Sequence, residues 1–166
     1  MMEINFTNTL NVLNEYCEAF NKKYMDNLQR DDRLASRNLI NSISTEIEFD
    51  GETITVVLNV ADYYWFTENG RNAGKFPPID KIIQWIKDKP IIPREDSNGR
   101  LPTEKQLAFL IGRKIANEGY EGKPSLSNSI DELNPMYEKR LELALRQDVM
   151  EYELRLLDEI ASLIDF

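Results

Sequence analysis

Histidine is absent from this chain of 166 residues, and cysteine occurs once, at Cys17. Without imidazole the usual general base is missing, which excludes Ser-His and Cys-His nucleophilic catalysis and histidine metal ligands. A single cysteine excludes an internal disulfide framework and any cysteine-rich zinc site. Cys17 lies on an amphipathic stretch and reads as a small buried apolar residue of a protein made in a reducing compartment. No apolar run approaches the roughly 20 residues of a membrane span, so no membrane partner is expected. The first residues, MMEINFTN, have neither a positive region nor an apolar core and predict no secretory signal. There is no glycine-rich phosphate loop and no cluster of metal ligands. Asp62 and Glu68 come nearest to paired carboxylates, but six residues apart they define no acid–base geometry. The expectation is a protein that is no enzyme and takes no cofactor.

What is present is ordinary for a globular chain, with 42% hydrophobic and 30% charged residues, enough for one domain with a core plus an appendage. The net charge of −9 is unevenly spread. From Arg71 to Lys114 ten basic residues stand against five acidic ones, and elsewhere ten stand against 24. Segments of opposite sign suit complementary faces of neighbouring subunits, or an oriented partner. Nucleic acid usually demands more concentrated positive charge than this.

The stretch DYYWFTENGRNAGKFPPIDKIIQWIKDK, from Asp62 to Lys89, organises the rest. Tyr63, Tyr64, Trp65 and Phe66 are read as closing a strand, with a loop from Thr67 to Pro77 behind them. Four aromatics carry so much apolar area that most of them must be buried in the fold or against a partner. Together with Glu68, Arg71, Lys75 and Phe76 they form the expected subunit or partner interface, a docking surface and not a pocket. Two of the four fit an ordinary core, and the others fit anchors for a neighbouring subunit. Glu68 and Arg71 fit either an ion pair between subunits or a solvated surface pair.

Around that stretch the pattern predicts a helix over residues 7–28, from Leu10, Leu13, Cys17, Phe20, Tyr24 and Leu28. Asp32 is placed to cap a short helix through Leu39-Ile40. ISTEIEF and ETITVVLNV flank Asp50-Gly51 and predict a hairpin on a two-residue turn. Its inner face would collect Ile43, Ile47, Phe49, Ile54, Val56, Leu58 and Val60. Pro78 opens an amphipathic helix carrying Ile79, Ile82, Ile83 and Ile86. KPIIPREDSNGRLP reads as a loop with Ile91-Ile92 against the core. Thr103 and Gln106 form a capping box for a helix that stops at Gly119, followed by a flexible connector, EGYEGKPSLSNS. Asn134-Pro135 is expected to start a final helix running to Ile164. Its stripe, Tyr137, Leu141, Leu145, Val149, Tyr152, Leu156, Ile160 and Leu163, would pack on another subunit or return antiparallel along residues 7–28. The fold class is therefore α+β, a β-hairpin-based antiparallel sheet packed by helices, with a long C-terminal helix.

Four pieces, ASRNLINSI, VADYYWFTENGR, FPPIDKIIQWIKDK and LAFLIGRKIANEGYEGKP, occur in an order that resembles the tail-completion and head–tail joining proteins of tailed bacteriophages. The resemblance rests on Ser42-Ile43 before a strand, Tyr64 with Glu68-Asn69-Gly70, Pro77-Pro78 with Trp85, and the helix Ala108–Ile115 followed by Gly119 and Lys123-Pro124. It covers Ala35 to Pro124. The chain departs from the family pattern at Arg71, where threonine is usual, at Ser125, where an aromatic is usual, and in its long last helix. The resemblance implies a tail-completion-like domain over residues 1–125 and a helical extension over 126–166. It also implies a structural virion protein, made in the host cytoplasm, that forms a homo-oligomeric ring in the neck or tail. Its partners would be other copies of itself, the portal or connector, and tail-tube or other neck proteins. Phage DNA would pass through the lumen without specific binding. Twelvefold symmetry suits portal-proximal rings, and the long helix favours it over sixfold. The alternative is a nucleic-acid-binding or regulatory protein using the basic segment 71–114.

Overall fold

Leu10, Leu13, Cys17, Phe20, Tyr24 and Leu28 recur at three- and four-residue steps. In the computed structural model of the protein they line one face of a helix, α1 (Thr7–Arg30), and the last four are buried. The structure describes residues 4–31, 38–89, 91–95 and 99–164. After α1 come α2 (Asn38–Ser42), β1 (Ser44–Phe49), β2 (Ile54–Asn59), α3 (Tyr64–Asn69), β3 (Gly70–Arg71), α4 (Ile79–Asp88), α5 (Glu104–Glu118), β4 (Tyr120–Glu121) and α6 (Ser125–Ile164). The strands make two small sheets, β1 with β2 and β3 with β4, beside a long C-terminal helix. The α+β class expected from the pattern is what is observed. The expected Asp32 cap, and Pro90 in the loop, lie outside the described residues.

The chain divides into two compact units. The first is drawn from Met1–Lys23, Thr45–Leu58 and Ser129–Phe166, the second from Tyr24–Ser44 and Asn59–Asn128. In the first, α6 returns antiparallel along α1. Tyr16 Oη donates to Asn134 Oδ1 at 2.9 Å, Arg140 pairs with Glu15, and Asn8 reaches Asp148. Tyr16 and Tyr137 meet edge to face with centroids 5.3 Å apart. The hairpin lies along α1, with Asn21 Nδ2 donating to Thr45 Oγ1 and Phe6 edge-on to Phe49.

The turn of that hairpin is shifted from the expected Asp50-Gly51. Four residues, Asp50 to Thr53, separate the strands, and Asp50 N donates to Thr53 O at 3.4 Å, which leaves Gly51-Glu52 at the tip. The Asp50 carboxylate accepts from the amides of Glu52 and Thr53. Those backbone donors, Thr53 foremost, hold its pKa below the usual carboxylate value. The expected sorting holds at Thr45 and Ile47 of β1, which turn inward between exposed neighbours, but not at Phe49, which is 48% exposed. It fails in β2, where Val56 is exposed and Val57 half-buried.

In the second unit α4 and α5 pack through Ile82, Ile86 and Ala108, with Ile91 and Leu107 against them. Ile92, paired with Ile91 in the sequence-based expectation, is instead 89% exposed. The α5 capping box forms as expected: Thr103 Oγ1 accepts from Gln106 N, Gln106 Oε1 accepts from Thr103 N, and Gly119 ends the helix.

The last helix begins at Ser125, nine residues before the Asn134-Pro135 start expected from local signals, and Pro135 lies inside it. The Asn134 side chain is taken by Tyr16 and caps nothing. Pro135 is exposed, so the carbonyl one turn earlier, which it leaves without a backbone donor, is open to hydration. Replacing Pro135 with alanine should restore that donor and stabilise the protein by about 1–3 kcal/mol. A thermal melt followed by circular dichroism reads this as a higher midpoint. An unchanged or lower midpoint would indicate that the helix does start at Asn134, where proline suits the first position.

Candidate interaction surface

The aromatic run does not end a strand. β2 stops at Asn59, and Tyr64 to Asn69 turn into the short helix α3. The turn is set by Tyr64 N donating to Ala61 O at 2.9 Å, Phe66 N to Tyr63 O, and Thr67 Oγ1 to Tyr64 O. Helical spacing splits the four rings. Tyr64 shares a side with Glu68 and is half-buried, whereas Trp65 and Phe66 are exposed, Trp65 at 57%. Tyr63 precedes the helix and is exposed too. The Tyr64 and Trp65 rings meet edge to face, centroids 6.4 Å apart.

The inner side of α3 is held firmly. Glu68 accepts from Leu126 N at 3.0 Å through Oε2, and from Ser127 N at 2.9 Å and Ser127 Oγ at 2.8 Å through Oε1. These are donors of the first turn of α6, which has no preceding turn to satisfy them. A carboxylate there also meets the positive end of the helix dipole. Burial, followed by the nearby Glu68 carboxylate and Tyr64, pushes the phenol of fully buried Tyr24 far above its ordinary pKa, so it stays neutral. Thr67 O accepts from Lys123 N at 2.9 Å, and β3 pairs with β4 through Gly70 opposite Glu121 and Arg71 opposite Tyr120.

The remaining expected interface residues take separate places. Both Glu68 oxygens serve the α6 start, while Arg71 Nη2 donates to Lys75 O at 2.8 Å within its own loop. The side chain of Lys75 is exposed. Phe76 lies against Phe109 of α5, centroids 5.7 Å apart, above Gly112, where a Cβ would come within 2.5 Å of the Phe76 ring. The structure thus brings Tyr64, Trp65, Phe66 and Glu68 onto one braced helix and Phe76 onto α5. Replacing Glu68 with alanine should cost about 1–2 kcal/mol through the lost cap. Trp65 and Trp85, the chain's two tryptophans, allow a urea titration followed by fluorescence to report the loss.

Pattern reading passed over Asp148. Asp148 is fully buried, and its oxygens accept from Asn8 N, Asn8 Nδ2, Thr9 N and Thr9 Oγ1 at 2.7–2.9 Å. Burial pushes its pKa up, but these four bonds outweigh that and hold it below the usual carboxylate value. At the far end of α6, Leu154, Leu157, Ile160 and Leu163 are all more than half exposed. Ile160 and Leu163 belong to the expected stripe; Leu154 and Leu157 do not.

Among the described residues no three His, Cys, Asp or Glu are grouped to hold a metal ion, and no helix is long and apolar enough to cross a membrane. What the arrangement offers chemically is contact: rigidly mounted aromatic side chains presented outward. Comparison with protein-family models, with curated proteins and with solved structures found no match.

Proposed function

We propose that this protein is a structural component of a tailed-bacteriophage particle, a homo-oligomeric ring in the neck or tail that joins the portal–connector to the tail. The observation that carries the reading is the α3 helix. Trp65 and Phe66 face solvent on it, while Glu68 on its inner side is committed to the start of α6. Exposed large aromatics on a stiff mount lose little conformational entropy on binding and are typical anchors of protein interfaces. The ordered motifs between Ala35 and Pro124 that resemble tail-completion proteins point to the same place in a virion. In this role the chain does no chemistry; it holds neighbouring rings in register around a lumen through which DNA passes.

Cryo-electron microscopy of intact particles tests this directly. The expected result is this chain in a ring at the neck or tail, with Trp65 and Phe66 covered by a neighbour. Particles that lack the chain would overturn it. Binding to duplex DNA, titrated with salt, separates the alternative. A ring component has little affinity at physiological salt, whereas tight binding that falls steeply with salt would favour a nucleic-acid-binding protein working through residues 71–114.

A further inference from the structure

Glu151 Oε1 accepts from Asn8 Nδ2, joining α6 to α1. Beyond it α6 continues to Ile164, a further 13 residues or roughly 20 Å. Leu154 (55% exposed), Leu157 (61%) and Ile164 (74%) lie on one stripe of this arm, continuous with Met150 and Ala161 at alternating steps of four and three. That spacing is the seam of a helix that packs on another helix.

The borders of the seam say what covers it. Glu153 lies on one side and Asp158 on the other, so two arms packed together would set carboxylate beside carboxylate. Arg146, the basic residue one heptad before Glu153, is already paired with Glu142 at 2.7 Å. From Glu151 to Ile164 the arm has four acidic residues and one basic, Arg155. A fitting surface is apolar with basic borders, and this chain has one. On α5 the half-exposed Phe109, its ring tilted against Phe76, has Lys105 one turn before it and Arg113 one turn after, both exposed. Those two cations are eight positions apart, roughly 12 Å along the helix.

We propose that residues 149–164 of one copy dock on the Phe76–Phe109 face of a second copy. Leu154 and Leu157 cover the two rings, and Glu153 and Asp158 meet Lys105 and Arg113. The two surfaces are different, so the contact is head to tail, and it propagates until it closes into a ring or runs on as a filament. Closure into a ring rests on the reading given under Proposed function; the pairwise docking does not.

The test uses the full chain and two variants altered only at exposed positions, each checked by circular dichroism for an unchanged fold. One carries Leu154→Asp with Leu157→Asp, the other Lys105→Glu with Arg113→Glu. In sedimentation velocity at sub-millimolar concentration the unaltered chain is expected to self-associate, and each variant alone to run as a 19.4 kDa monomer. An equimolar mixture of the two variants should give a 1:1 complex of twice that mass, because each supplies the surface the other lacks. Adding Glu153→Lys and Asp158→Lys to the α5 variant should restore its self-association at least tenfold. The proposal is overturned if the unaltered chain stays monomeric, if the mixture does not pair, or if the α5 variant still self-associates as the unaltered chain does, which would mean that arm binds arm. Presence of the chain in particles is measured separately, so a failure of docking and a failure of the virion reading are told apart.

Discussion

Asp148→Ala is expected to destabilise the protein by about 3 kcal/mol, among the largest effects of any single side chain. The carboxylate is fully buried and satisfies the amides of Asn8 and Thr9, which open α1 and have no partner earlier in the helix. Alanine would leave those amides and the Thr9 hydroxyl facing a void. Asp148→Asn keeps the shape but turns an NH₂ group toward N–H donors, and should cost about 2 kcal/mol. A urea titration followed by far-UV circular dichroism reads both. The tryptophans, Trp65 and Trp85, belong to the second unit, so fluorescence shows whether the loss spreads beyond the first. The effect also depends on pH with a definite sign. The folded pKa lies below the unfolded one, so the stabilisation is complete above the unfolded value of 3.8 and is lost as pH falls through the folded value. Acidification from about pH 5 should therefore shrink the difference between wild type and Asp148→Asn. A difference that stays constant into strong acid would show that the carboxylate's charge contributes nothing.

Asp148 also shows where sequence reasoning stops. Along α6 the positions that meet α1 include Leu133, Tyr137, Ala144 and Asp148, and a stripe of large apolar residues passes over the last two. A carboxylate reads as surface unless its donors are known, and these lie 139 and 140 positions away. The Asn134-Pro135 start was overridden in the same way, because Glu68 caps α6 at Leu126 and Ser127 from 58 and 59 positions earlier. The aromatic run from Tyr63 to Phe66 has strong strand propensity, yet the strand before it ends at Asn59, and local turns carry it into a helix. What was legible rested on neighbours in the chain: the α1 stripe, the start of α4 after Pro78, the Thr103–Gln106 box and the stop at Gly119. Of the candidate surface, the run of aromatics was visible in the sequence; which of them are exposed followed only from the turn that makes α3.

Gly70→Ala should be the most damaging change in the second unit, with a loss of roughly 4 kcal/mol or more. Two independent costs combine there. Gly70 has φ 72° and ψ −155°, a region that residues with a Cβ enter only at a cost of about 1–3 kcal/mol. A Cβ at Gly70 would also lie 2.2 Å from Tyr120 O and 2.4 Å from Gly122 N. Those are backbone atoms of the partner strand and of the residue that follows it, and they cannot yield without opening the β3–β4 pairing. Gly122 meets the reverse contact, with Glu68 O 2.1 Å from where its Cβ would be, so Gly122→Ala should fail by overlap alone. The two substitutions separate strain from overlap, since of the two only Gly70 has a positive φ. Urea midpoints from tryptophan fluorescence should fall for both, further for Gly70. The same contact brings the Glu68 cap to the start of α6, so either substitution should also raise the mobility of Trp65, seen as lower fluorescence anisotropy before the main transition. Full stability in Gly70→Ala would mean that β3 and β4 do not approach this closely, and that α3 lacks the brace this pairing gives it.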